Sequence, residues 1–250
     1  FGRALTRRAG AQPVLRLRVG LPVEPATVDP HRAALPVEQT LVRLLYDPLV
    51  RTGGGGWPEP GVAHAWEADE RAEVWTFHLR PDAFWSDGAP VTAGDFVTAW
   101  RRLFDRATGA PSWELLRVVR HAGPVHAGFG DLDDRTLEIT TDGPAGYLPA
   151  LAGLWLSVPV RLEAASSAAV TNGAFVLREW TPGRGLLLAP NPYALDGAPA
   201  VEVHVLPGAG EDEHYAAFLH GEREIAYVPA GRELEVLAVR ELAACAVVQP

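Results

Sequence analysis

The order of hydrophobic patterns along this chain predicts a mixed α/β or α+β fold. Two-residue alternation of apolar and polar side chains recurs in short, separated stretches, among them Leu15 to Val19, Val74 to Arg80 and Val201 to Val205. Helical periodicity appears between them, at Val37 to Leu45 and again after Thr92. The two patterns alternate irregularly and no internal repeat is visible, which argues against a barrel.

In the first stretch Leu15, Leu17 and Val19 alternate with Arg16 and Arg18, predicting a strand with one buried face. Pro22 and Pro25 then interrupt regular structure. Within Val37 to Leu45, Leu41, Leu44 and Leu45 share one helical side. Gly53 to Gly56 reads as a flexible turn closed by Trp57-Pro58. In the next strand Trp75, Phe77 and Leu79 oppose Thr76, His78 and Arg80. Thr92-x-x-Asp95 opens a helix. Thr92 is expected to accept a hydrogen bond from the Asp95 amide, and the Asp95 carboxylate suits the positive helix end. Phe96, Trp100 and Leu103 or Phe104 then share a face.

Asp131 to Asp134 reads as a turn before a strand at Leu137 and Ile139, and Ala145 to Leu156 as a short helix. Ala164 to Ala169 is expected to be a small-residue linker. Gly173 to Trp180 and Gly185 to Leu188 predict a hairpin through Thr181-Pro182-Gly183, with Asn172-Gly173 as a tight turn that uses the positive φ open to glycine. Val201, Val203 and Val205 mark a further strand. Glu211 to His220 reads as a helix with Gly221 as its left-handed cap. A strand at Ile225 to Val228 and a helix at Glu233 to Ala244 complete the expectation.

With 250 residues and 48% hydrophobic content, the chain can build a packed core, and disorder throughout is excluded. Its net charge is −9, and apart from Arg7-Arg8 and Arg101-Arg102 its arginines are scattered, so no nucleic-acid footprint is expected. Lysine is absent and isoleucine nearly so, which fits a high-GC genome. One cysteine, Cys245, excludes an internal disulfide framework and a cysteine-rich metal site. No apolar run is long enough to span a bilayer. The sequence lacks methionine, so Phe1 is not expected to be the initiator: either an export signal was removed or the chain is a fragment.

The most informative stretch is Phe84 to Trp100, FWSDGAPVTAGDFVTAW. Before it stand Glu24-Pro25-x-x-Val28-Asp29-Pro30-His31, Tyr46-Asp47-Pro48-Leu49-Val50, Pro60-Gly61-Val62-Ala63, Ala65-Trp66 and Trp75-Thr76-Phe77-His78-Leu79-Arg80. After it come Asp134-x-Thr136-Leu137-Glu138-Ile139, Thr171-Asn172-Gly173-Ala174-Phe175, Asn191-Pro192 and Gly221-Glu222-x-Glu224-Ile225. In sequence and spacing this series resembles the family 5 extracytoplasmic solute-binding proteins that feed oligopeptide, dipeptide and nickel ABC importers. The resemblance covers nearly all of residues 15–228.

That resemblance implies a lobe like those of the type II periplasmic binding proteins, with an inserted α+β subdomain. Residues 1–47 and 157–250 would form the main lobe and 48–156 the insertion. It implies a cleft that closes on ligand and presents the closed form to a permease. An extended peptide is held there by backbone hydrogen bonds, with roomy, wet pockets for its side chains. A second lobe, which carries the carboxylate for the peptide amino terminus, is expected beyond this stretch, and no residue here corresponds to it.

By the same resemblance Ala34, Leu35, Pro36 and Val37 form the segment that offers backbone groups to the peptide, although Pro36 lacks an amide hydrogen. Trp113 stands one residue later than the family's ligand-stacking aromatic and could line the cleft or pack the insertion. Ala194-Leu195 replaces a usual Tyr-Trp pair. The implied partners are a peptide or other small ligand, bound weakly by this lobe alone, and an ABC permease or another extracytoplasmic or membrane protein subunit. The implied location is periplasmic or extracytoplasmic, free or at the membrane. A second role stays open: a shortened relative that serves as a scaffold subunit of a larger extracytoplasmic assembly. A regulatory sensor that reuses the lobe is a third.

No cofactor is implied, and the residues point away from an enzyme. His121 and His126 are too few for a metal site, and no H-E-x-x-H, G-x-S-x-G or Walker A motif occurs. Asp131, Asp133 and Asp134 lack the longer ligand series of a calcium loop. His214 and His220 are expected at the solvated flank of a helix, and Cys245 to be buried and inert.

Overall fold

The computed structural model describes residues 15–120, 128–161, 170–207, 210–226 and 232. In chain order the strands and α-helices are β1 (Leu15–Leu21), α1 (Pro36–Leu45), β2 (Val50–Thr52), β3 (Pro58–Pro60), β4 (Ala63–Ala68), β5 (Val74–Leu79), α2 (Ala93–Phe104), β6 (Phe129–Asp133), β7 (Thr136–Thr140), α3 (Leu148–Leu151), β8 (Phe175–Thr181), β9 (Gly185–Pro190), β10 (Val201–Pro207) and α4 (Glu211–Leu219). The fold is mixed α/β, as the patterns predict. His121, His126, Ala164 to Ala169, Glu233 to Ala244 and Cys245 lie outside the described residues.

One sheet runs in the order β1-β10-β9-β8. Here β1 and β10 pair in parallel, with Leu15 opposite Val201 and Leu21 opposite Pro207, and the other pairs are antiparallel. Ile225 bridges Val19 on the other side of β1, and the Gly20 amide donates to the Ile225 carbonyl. β1 therefore has neighbours on both sides around Val19. Its burial grades along its length instead of alternating: Leu15 is 64% exposed and Leu21 only 4%. The expected single buried face is thus replaced by a strand that enters the molecule from its rim.

The second sheet, β4-β5-β7-β6, is antiparallel throughout. In β5 the side chains of Trp75, Phe77 and Leu79 are buried and those between them only partly so, which is the expected alternation. β6 occupies Asp131 and Asp133, so the acidic turn predicted there is a strand that pairs back through Asp134-Arg135. α2 lies against β6 and β7, and Trp100 meets Phe129 edge-on at 5.8 Å between ring centres. The glycine turn at Gly53 to Gly56 joins the short hairpin β2–β3, which pairs Val50 with Pro60.

Two further differences follow from tertiary packing. The helix expected over Ala145 to Leu156 is reduced to α3, followed by a 3-10 turn at Trp155–Ser157. Leu148 and Leu156 are buried against the shared core, so packing divides an apolar run that periodicity alone reads as one piece. His214, expected in solvent, is 3% exposed, and a Cβ added at Gly20 would stand 2.4 Å from its Nδ1. Glycine in β1 is what lets α4 approach this closely. Gly221 follows α4 with φ of 73°, the expected left-handed cap.

Candidate binding site

The segment between β1 and α1 is built around buried charge. The Asp29 carboxylate accepts the His31 amide at 3.0 Å, and the Asp29 carbonyl accepts the amides of Arg32 and Ala33. Arg102 reaches from α2 to hold both Asp29 oxygens and donates to His31 Nδ1 at 2.7 Å. A guanidinium only donates, so Nδ1 accepts and the ring proton resides on Nε2. His31 is 2% exposed, and its Nε2 faces the Leu156 backbone without completing a hydrogen bond. Burial, reinforced by Arg102, lowers the His31 pKa to about 4. Burial alone would raise Asp29, but Arg102 outweighs it and keeps the carboxyl below its usual range. Tyr46 closes the cluster, its phenol pushed up by burial and by Asp29.

Glu38, in the first turn of α1, organises the rest of the segment. One carboxylate oxygen accepts the amides of Ala34 and Leu35, each at 2.9 Å, and the other accepts the Ala26 amide at 2.9 Å. Burial would raise its pKa, but these amides win and hold it below the usual range. Ala34, Leu35 and Pro36 are exposed, whereas Val37 is buried in the core. Trp113, 37% exposed, lies on a 3-10 turn after α2 (Trp113–Leu116), a different element from the other four. Asp29 and His31 stand in a motif of the series and Arg102 in a basic pair, but the sequence assigns none of them, nor Glu38, a place in this site. A proline at the first helical position followed by an acidic residue at the third was the available signal for Glu38. Nothing local signals the Arg102 contact, which spans 73 residues.

The turn motifs of the series stitch distant segments together. Ser86 donates its amide to the Thr171 carbonyl at 2.7 Å, and its hydroxyl accepts the Thr171 amide at 3.1 Å. Asp95 accepts the Trp85 indole at 3.1 Å and the Thr92 amide at 2.8 Å. The Thr92 hydroxyl donates to this carboxylate at 3.1 Å, and the Asp95 amide goes to the Thr92 carbonyl at 3.1 Å, not to the hydroxyl as expected. Arg161 lies 4.9 Å over the Trp85 ring and 3.3 Å from Asp95. Asn172 exchanges hydrogen bonds with the backbone of Asp47, at 3.2 and 3.0 Å, rather than with its own. Gly173 does not adopt positive φ. It is glycine because a Cβ would stand 2.6 Å from the Leu45 carbonyl carbon and the Tyr46 nitrogen. The tight-turn reading of Asn172-Gly173 is therefore replaced by a close approach of two backbones. Among the described residues no cluster of three His, Cys, Asp or Glu could hold a metal ion.

Comparison with known proteins matches residues 58–241 to the family model "Bacterial extracellular solute-binding proteins, family 5 Middle". The chain belongs to this family. It is 34% identical over 220 residues to the periplasmic oligopeptide-binding protein OppA of Escherichia coli K12, covering 80% of this chain and 40% of that protein. It is 33% identical over 222 residues to the periplasmic murein peptide-binding protein MppA of the same strain, covering 81% and 41%.

Among solved structures, the unliganded open form of MppA superposes with a TM-score of 0.85 at 28% identity, over 92% of this chain and 49% of that one. Haemophilus influenzae OppA in complex with RPPGFSPFR gives 0.82 at 26% identity, over 91% and 49%. This family 5 chain thus spans about two fifths of its curated relatives and about half of the solved chains it resembles. Among the described residues no helix is long and apolar enough to cross a membrane.

Proposed function

We propose that this chain forms the first lobe of a peptide-type solute-binding protein of an ABC importer, a binder and not an enzyme. In this reading residues 1–47 and 157–250 make the main lobe and 48–156 the inserted subdomain. The lobe acts outside the cytoplasmic membrane and passes its ligand to a permease. The observation that carries the reading is the likeness to an OppA solved with a peptide, at a TM-score of 0.82 over 91% of this chain. Ala34, Leu35 and Pro36 contribute exposed backbone to an extended peptide. Val37 supports them from the core, and Trp113 borders the ligand from the insertion.

One lobe gives a cleft one wall. A peptide lying on it stays largely hydrated, so little apolar area is buried while the cost of ordering the ligand remains. Calorimetry of the 250-residue chain with mixed short peptides should show binding weaker than micromolar. Micromolar or tighter binding would overturn the one-walled reading. Native mass spectrometry of the chain from its source separates transport from scaffolding: copurified peptide supports the first, stoichiometric protein subunits the second.

A further inference from the structure

We infer that Asn172-Gly173 is a deamidation site masked by the fold, one that converts when the chain opens and leaves a lasting lesion in molecules that refold. The sequence holds two asparagines, and only Asn172 precedes a glycine. In an opened chain that pair is reactive for a steric reason: glycine has no side chain to hinder attack by its own nitrogen. The Gly173 nitrogen gives up its proton and attacks Asn172 Cγ. The N–Cγ bond forms, the Cγ–Nδ2 bond breaks, and the side-chain nitrogen leaves as ammonia. Water then opens the cyclic imide. Addition at Cγ restores the ordinary backbone with aspartate at position 172. Addition at the main-chain carbonyl gives isoaspartate, whose backbone runs through Cβ and is one atom longer.

Packing both demands this pair and hides it. Position 173 must be glycine, because a Cβ would stand 2.6 Å from the Leu45 carbonyl carbon and the Tyr46 nitrogen. Position 172 needs a side chain that both accepts and donates: Oδ1 takes the Asp47 amide at 3.2 Å and Nδ2 gives to the Asp47 carbonyl at 3.0 Å. The same contacts block the reaction. The attacking nitrogen is turned away, its N–H donating to the Leu45 carbonyl at 2.9 Å. The Gly173 carbonyl accepts Asn191 Nδ2 at 2.8 Å. Asn172 is 3% exposed, so base and water are kept from it.

Neither product fits. Aspartate sets a carboxylate oxygen against the Asp47 carbonyl, acceptor facing acceptor, and adds a buried charge. Isoaspartate inserts a backbone atom where Gly173 already packs against Leu45 and Tyr46.

The test needs no substitution. The full chain is held at mildly alkaline pH, one portion folded and one in urea, and peptide mapping by mass spectrometry follows both asparagines. Asn172 should convert at least about a hundredfold more slowly in the folded portion, since only opened molecules react. A difference below about tenfold would overturn the masking. Asn191 is an internal control: Pro192 has no N–H to give up, so this residue should stay intact in urea. Conversion of Asn191 as fast as Asn172 would remove the role given to Gly173.

The urea portion is then refolded and brought to its unfolding midpoint, and a brief pulse of protease removes the unfolded molecules. Chains altered at 172 should show a folded-to-unfolded ratio about tenfold lower than intact chains in the same tube. Equal survival of altered and intact chains would refute the lesion.

Discussion

Gly173 and His31 show how single side chains carry this structure. A Cβ at Gly173 would stand 2.6 Å from the backbone of Leu45 and Tyr46, where nothing flexible can yield. Gly173→Ala should cost about 1–3 kcal/mol in urea unfolding. Gly54→Ala, at a turn with nothing within 4 Å, should stay within about 1 kcal/mol of the parent. His31 sets a pH limit. Its folded pKa of about 4 lies below the ordinary 6.5, so the unfolded chain binds its proton first as pH falls. The stability held by neutral His31 is complete above pH 6.5 and is lost toward pH 4, a loss of roughly 3 kcal/mol. Asp29, also lowered, loses its contribution below the ordinary carboxylate range, adding to the acid sensitivity. Melting temperatures between pH 7 and 4 should fall steadily, and His31→Gln should flatten that slope.

At the scale of elements, α2 shows how a local signal acquires a distant job. Its start was legible from Thr92-x-x-Asp95, and its buried face from Phe96, Trp100 and Leu103, which are 0%, 1% and 2% exposed. The spacing could not show that the Asp95 carboxylate also receives Trp85 and Arg161, from outside the helix. Asp95→Asn should therefore cost more than a lost cap, about 1–3 kcal/mol, because it also removes one of the two carboxylates beside Arg161, leaving Asp87 at 3.5 Å. Arg161→Gln in the Asp95→Asn background should cost less than the sum of the separate substitutions, and a double-mutant cycle in urea measures that difference. Strands were legible where both rows of side chains met different environments, as in β5. β4 and β6 were not, because Ala63–Ala68 and Phe129–Asp133 carry weak alternation and become strands only by pairing with β5 and β7.

Across the whole molecule, one continuous hydrophobic cluster includes Val203 and Leu188 of the first sheet, Phe77 and Leu137 of the second, and Leu41 and Trp100 from the helices. The Trp100 indole donates to the Ser157 carbonyl at 3.0 Å within that shared interior. The inserted subdomain proposed for residues 48–156 therefore shares its core with the flanking segments. Urea unfolding followed by far-ultraviolet circular dichroism and by tryptophan fluorescence should give coincident single transitions. Two separated midpoints would show that the two sheets are independent folding units.

The sequence by itself determined the family, the mixed fold and most elements, because those rest on local periodicity, caps and an ordered series of short motifs. It also singled out Ala34, Leu35, Pro36 and Val37 by resemblance, but not that the first three are exposed and Val37 is buried. Only the tertiary structure decided which distant segments the motifs join. Ser86 meets Thr171, Asn172 meets Asp47 and Arg102 meets Asp29 across 73 to 125 residues. Hydrogen bonding and burial depend on neighbours in space, and no pattern within a few residues records which distant group will arrive.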